Sequence, residues 1–247
     1  MAVALRSVGV SPGAESYSVV ITKPVGLSVG DLMIAHIAVL GESTMDAVPS
    51  GFNLISAFEV GVSILGSYLY YKIADSGDAA ASDFTFTLGD GEAPACFAAM
   101  SAWTGADSTN PINDNNGQTN GVSNTCTAPQ ITPSVADCLI LMICTVKDRV
   151  TLNNYAIAVS NPASWSEAYD LSSSYGYFAI AVGYADRPET TATGNGTASI
   201  QITVDNNIGN LIAVAPYTAP PPENGLRQIP HCGPRKKRTE WLSTMRM

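Results

Sequence analysis

Two histidines, five cysteines and a scatter of acidic side chains are what this 247-residue chain offers for chemistry. His36 sits inside the apolar run DLMIAHIAVL and His231 near the C-terminus. An acyl-transfer machine would therefore have at most one base in the body, and a two-histidine metal site would have none to spare. His36 is expected to be a hydrogen-bonded core imidazole. Cys96, Cys126, Cys138, Cys144 and Cys232 leave one thiol unpaired in any full disulfide scheme, and three lie in apolar runs, so they read as reduced, buried small hydrophobes. No CxxC pair supports zinc. Asp90 and Glu92 in LGDGEAP have the types of a glycosidase pair, but Asp-Gly is what a tight hairpin asks for, and a turn is expected. Asp107, Asn113, Asp114 and Asn115 carry oxygens of the kind calcium takes, without EF-hand spacing or a closing Glu, and read as an ordinary loop. No catalytic set coheres and no cofactor is implied, so the expectation is a binding protein rather than an enzyme.

The aromatic residues form a second group. Trp103, Trp165, Tyr68, Tyr70, Tyr71, Tyr175, Tyr177 and Tyr184 are enough for a sugar-stacking platform. Trp103 and Trp165 fall at strand positions, where packing is expected, while Tyr68 and Tyr70 alternate onto the face opposite Tyr71 and form the candidate glycan face. Asn195-Gly196-Thr197 is a glycosylation sequon that would matter only in a secreted chain. Near the C-terminus, Arg235, Lys236, Lys237 and Arg238, followed by Trp241 and Leu242, make a candidate partner-docking segment.

The elements that must position these residues are strands. Apolar residues make up 46% of the chain and charged ones only 13%, about half the usual share, with 21 Gly and 15 Pro to supply turns. In Leu32–Leu40, Leu32, Ile34, His36, Ala38 and Leu40 share one face and Met33, Ala35, Ile37 and Val39 the other, so this is a central strand buried on both sides. Leu69, Tyr71 and Ile73 alternate with Tyr68, Tyr70 and Lys72; Phe84, Phe86 and Leu88 alternate with Thr85 and Thr87. Both read as half-exposed antiparallel strands. The longest apolar runs are far shorter than the ~20 residues of a bilayer-spanning helix, and the N-terminus lacks the basic and apolar regions of a Sec signal. Folding in a cytoplasm is expected.

The same features then return about 110 residues later. KPVGLSVGDLMIAHI corresponds to TPSVADCLILMIC, with Asp31 matching Asp137; PSGFNLISA to NPASWSEAY; YLYYKIADSGD to AIAVGYADRPE; FTFTL to IQITV; and CFAAMSAWTG to NLIAVAPYTA. The expected fold is all-β: one antiparallel, jelly-roll-like β-sandwich domain over residues 1–217, made of two related halves (about 18–110 and 128–216), with both halves contributing to two sheets around one core that contains Ile34, Leu69, Phe84, Phe86, Ile140, Ile200 and Ile202. The polar stretch between the halves reads as a connector that would permit a hinge, which keeps two separate sandwiches as the alternative to the favoured fused core. Residues 218–247 are a Pro-rich linker and basic tail. Charge divides there: residues 1–222 carry 6 Lys+Arg against 19 Asp+Glu, a net −13, and residues 223–247 carry 6 against 2, a net +4. The acidic body should repel nucleic acid.

The ordered strings KPVGLSVGDLMIAHIAV, VPSGFNLIS, YLYYKIADSGDAAASDFTFTL and AMSAWTGADSTNPIN resemble a β-sandwich module of tailed-phage and prophage virion proteins, which reads K-P-x-G-x-x-x-G-D-L, P-x-G-W, Y-K-x-A and Y-x-G. Phe52 stands where Trp is usual and Trp103 where Tyr is usual. The likeness covers about residues 18–216. It implies a structural accessory protein of a virion, such as a head decoration, fibre or tail-associated protein, assembled in the host cytoplasm as a homo-oligomer or on other capsid, fibre or tail subunits, with no membrane contact. The alternative implied by the aromatic face is a carbohydrate-binding module for host attachment.

Overall fold

The computed structural model of the chain describes residues 1–41, 43–61, 65–89, 93–173, 175, 177–201 and 206–218. Strands account for 59% of the described residues, among which the one helix is five residues long. The first half supplies β1 (Ala4–Val10), β2 (Ala14–Glu15), β3 (Ser18–Thr22), β4 (Leu32–Leu40), β5 (Thr44–Ala47), β6 (Asn53–Val60), β7 (Leu65–Ile73), α1 (Ser76–Ala80), β8 (Asp83–Gly89) and β9 (Ala95–Thr104). The second supplies β10 (Ile112–Asn120), β11 (Thr125–Ala128), β12 (Cys138–Val146), β13 (Leu152–Ile157), β14 (Ser166–Ser172), β15 (Ala179–Arg187), β16 (Gly196–Ile200) and β17 (Asn207–Val214).

These strands pair antiparallel in four sheets. The first half forms a large sheet in the order β1-β9-β4-β7-β6, with β2 also on β9, and a small one in the order β3-β8-β5. The second forms β10-β17-β12-β15-β14 and β11-β16-β13. Leaving β2 aside and counting eight strands in each half, both large sheets run 1-8-3-6-5 and both small ones 2-7-4.

Alternation explains how the sheets stack. In β4, Met33, Ala35, Ile37 and Val39 pack toward the small sheet with Val19, Ile21, Phe84 and Phe86, while Leu32, Ile34 and Ala38 point the other way. In β12, Ile140, Met142, Cys144 and Val146 pack toward β11, β13 and β16, while Leu139, Leu141 and Ile143 point back at the first half. Each half thus encloses a core of its own, the first and the third, and between them the two large sheets meet face to face over a central core. Trp103 against Tyr184 (ring centroids 5.2 Å apart) and Phe97 against Phe178 (6.2 Å) cross that central layer.

The expectation of two sheets around one core is therefore corrected. Ile34 and Leu69 lie in the central core, Phe84 and Phe86 in the first, and Ile140 and Ile200 in the third; Ile202 lies outside the described residues. The reason is that β4 and β12 are apolar on both faces, so each serves two cores, one per side. The polar connector is corrected too. Much of it is β10, an edge strand paired residue by residue with β17, followed by β11. An edge strand with one face to solvent tolerates Asn and Gln, so composition concealed it. FTFTL forms β8 as expected, but its counterpart by position, β16, ends at Ile200 rather than beginning there.

Candidate functional site

The docking residues Arg235, Lys236, Lys237, Arg238, Trp241 and Leu242 lie outside the described residues, as do His231, Cys232, Asp90 and Glu92. Tyr68 and Tyr70 lie inside. They do not form an open face: they are 7% and 8% exposed and pack in the first core. The Tyr68 hydroxyl donates to Ser43 O and to Glu59 Oε1, both at 2.6 Å. Burial, reinforced by that carboxylate, raises its pKa. Trp103 is fully buried and donates from Nε1 to Ser101 Oγ at 2.8 Å. Of the oxygens expected in an ordinary loop, those of Asn113, Asp114 and Asn115 instead lie on β10, where main-chain pairing with β17 takes up the polar stretch. Asp107 Oδ1 accepts from the amides of Thr109 and Asn110, Asp114 Oδ2 accepts from Thr132 N, and Asn113 Oδ1 accepts from Ser134 N. Among the described residues no three His, Cys, Asp or Glu side chains converge as metal ligands.

His36 joins the two halves. It projects from β4 into the central layer, where its Nδ1 lies 3.1 Å from the Tyr169 hydroxyl and its Nε2 lies 2.7 Å from Thr145 Oγ1. Thr145 donates onward to Ser67 Oγ at 2.8 Å. Each ring nitrogen thus faces a hydroxyl that can donate or accept, so a neutral imidazole, with one nitrogen donating and the other accepting, satisfies both contacts. Burial lowers the His36 pKa to about 3 and raises that of Tyr169. The chain Tyr169–His36–Thr145–Ser67 alternates between the halves and sits in an apolar layer, so it fixes how one large sheet lies on the other.

Two adjoining hollows border a loop between β13 and β14, the larger reaching Val3, Ala4 and Leu5 at the N-terminus. A cleft of about 410 Å³ is lined by Asn153, Tyr155, Asn161, Trp165 and Glu167 among others. A neighbouring hollow of about 860 Å³ shares the rim from Asn161 to Ser166 and continues to Asp186 and Glu189. Three local features build the cleft. Asn154 takes a positive φ of 52°, and the β13–β16 register slips between Asn153 and Ala156. Such a bulge re-aims side chains, and here Tyr155 turns inward onto the third core while Asn153 stays at the surface. Gly183 of β15 lies under the Tyr155 ring, in space that any Cβ would invade. Tyr155 donates to Glu167 Oε1 at 3.1 Å, and its pKa is raised, chiefly by burial.

Trp165 stacks on Tyr155 with ring centroids 6.2 Å apart and donates from Nε1 to Asn161 Oδ1 at 3.2 Å; the same oxygen accepts from Ile157 N at 2.9 Å. The indole is half-buried. Beneath the loop, Arg187 is fully buried and donates to the carbonyls of Val159, Ser160, Thr191 and Ala192. No sequence signal set this arginine apart, since it follows a strand that reads as apolar. A scan against protein-family models and searches of curated proteins and of solved structures find no match to this chain.

Proposed function

We propose that this chain is a structural accessory protein of a phage particle, acting by binding and assembly and not by catalysis. One observation carries the reading: the motifs that resemble the virion module recur in order, and, the FTFTL counterpart apart, the strands they occupy take the same places in both halves. In each half the first strand lies beside the eighth, the eighth beside the third, the third beside the sixth, and the second beside the seventh, as in an eight-stranded jelly roll, an architecture frequent in capsid proteins and lectins. Two such rolls, related by duplication and stacked through their large sheets, give a rigid body with polar edges, suited to decorating a lattice or extending a fibre. The net +4 of residues 223–247 supplies attachment: Arg235, Lys236, Lys237 and Arg238 meet carboxylates while Trp241 and Leu242 fill an apolar pocket on another subunit of the particle.

The test is to purify particles of a phage encoding this chain and locate the chain by mass spectrometry and cryo-microscopy. Presence at a fixed copy number on head, fibre or tail is expected; its absence from intact particles overturns the reading. Truncation after Tyr217 is expected to leave the body folded and to reduce incorporation in a salt-sensitive way.

A further inference from the structure

We propose that the cleft between Trp165, Asn153 and Glu167 binds a neutral oligosaccharide. It is independent of the particle role proposed above, because it is made of described side chains alone and its test uses the isolated chain.

The first argument is the indole. Trp165 is only partly buried and lines the cleft, so part of its ring is open to a ligand. Here its position is held from two sides: Tyr155 stacks on it and Asn161 accepts its N–H. What it presents to the cleft is therefore ring, not N–H. The face of an aromatic ring is electron-rich and attracts polarised C–H groups, which is what one side of a pyranose offers.

The second argument is the polar lining. Asn161 has its oxygen engaged twice, so its amide nitrogen faces the cleft as a donor; Asn153 adds a donor and an acceptor, and Glu167 a second acceptor. Amides beside a carboxylate match adjacent hydroxyl groups, each of which both donates and accepts. A purely apolar ligand would leave these groups unpaired.

Size and charge narrow the class. The 410 Å³ cleft lies in the range of small-ligand sites, and the shared rim with the 860 Å³ hollow gives room for further rings along Ser164, Ser166 and Tyr184. Glu167 in the cleft, with Asp186 and Glu189 in the hollow, repels anionic sugars. The rim is also pre-organised, since Arg187 ties Val159 and Ser160 down from beneath, which lowers the ordering cost of binding.

The test uses the full chain with 15N-labelled tryptophan, whose three indole N–H signals come from Trp103, Trp165 and Trp241. Trisaccharides of glucose, mannose, galactose and N-acetylglucosamine are titrated in, with sialyllactose as the anionic probe. A saturable shift of the Trp165 signal with at least one neutral trisaccharide is expected, with Trp103 unmoved and sialyllactose at least tenfold weaker. Trp165→Ala should abolish binding. Since that variant also removes packing, Asn153→Ala is the second test: binding at least threefold weaker at an unchanged melting temperature. If no neutral probe shifts Trp165, if binding survives Trp165→Ala, or if sialyllactose binds equally well, the proposal fails.

Discussion

Phe52 and Trp165 open corresponding strands, β6 and β14, yet one completes a core and the other borders a cleft. Phe52 is 8% exposed and meets Phe84 and Phe86 edge-on, at 5.9 and 5.4 Å. The difference originates in a neighbouring strand. Opposite Val19 and Ile21 of β3 stand Phe86 and Phe84, whereas opposite Cys126 and Ala128 of β11 stand Ala198 and Gly196. Two benzyl groups in the first half are replaced by a methyl and a hydrogen in the second. Tyr155 fills part of that volume from above, and Trp165 rides on Tyr155 at the surface. One strand order therefore tolerates either a closed aromatic corner or an open one, and the residues on the seventh strand decide which.

The comparison breaks most directly at Phe86. Phe86→Ala should cost ~3–5 kcal/mol in denaturant unfolding, because it leaves a cavity among Phe52, Phe84 and Tyr70. A loss below ~1 kcal/mol would mean the first corner is no better packed than the second. The joint between the halves offers a different lever, through pH. Neutral His36 contributes stability that is complete above the unfolded pKa of about 6.5 and is lost as pH falls toward its folded value of about 3, at up to ~1.4 kcal/mol per pH unit. Asp170 acts in the opposite sense. Burial raises its pKa to about 6, so the folded state gains stability from it as pH falls from about 6 toward its unfolded value near 3.9; half in solvent, it contributes less than its shift implies. Stability should thus fall gently between pH 6 and 4 and steeply below, and Asp170→Asn should steepen the upper part. A flat acid limb down to pH 3 would contradict a buried neutral imidazole at the joint.

Smaller effects belong to the second corner. Gly183→Ala puts a methyl under the Tyr155 ring and should cost ~1–3 kcal/mol while shifting the indole N–H signal of Trp165 in NMR spectra. Trp165→Ala should cost ~1–3 kcal/mol, less than Phe86→Ala, since the indole packs on the core from its edge and is only partly buried. A penalty equal to that of Phe86→Ala would show that the two corners are energetically alike after all.

The strands were legible where alternation is strict. Both faces of β4, the inward Phe84 and Phe86, and the place of His36 among apolar neighbours follow from period two alone. What alternation cannot say is which partner each face meets, so residues of three cores were assigned to one. Tyr68 and Tyr70 show the same limit: they do lie opposite Tyr71, but the face judged open is covered by the small sheet. The cleft depends on features with weak sequence signals. A bulge at Asn154 and a lone arginine ending β15 look ordinary in the chain, and the strand position of Trp165 points to packing and not to a cleft. Asn-Asn before a tyrosine, in a strand otherwise apolar on one face, is the signal that a bulge was there to be found.

The segment between the halves is clasped to the end of the body. Ala106 bridges Pro216, Asp107 N donates to Ala215 O, Tyr217 N donates to Gly105 O, and the amino group of Met1 donates to Tyr217 O. Residues 1, 106 and 217 therefore share one corner, and this governs the mechanics. Tension applied between residues 1 and 218 pulls at two neighbouring points, so it opens the clasp and begins to unzip β1 from β9 one hydrogen bond at a time, drawing Val3, Leu5 and Val8 off the edge of the central layer before the load reaches the histidine on β4. A body gripped at that corner swings as a pendant, and its resistance to force is that of a few peptide bonds' hydrogen bonding in series, far below what its buried area would suggest.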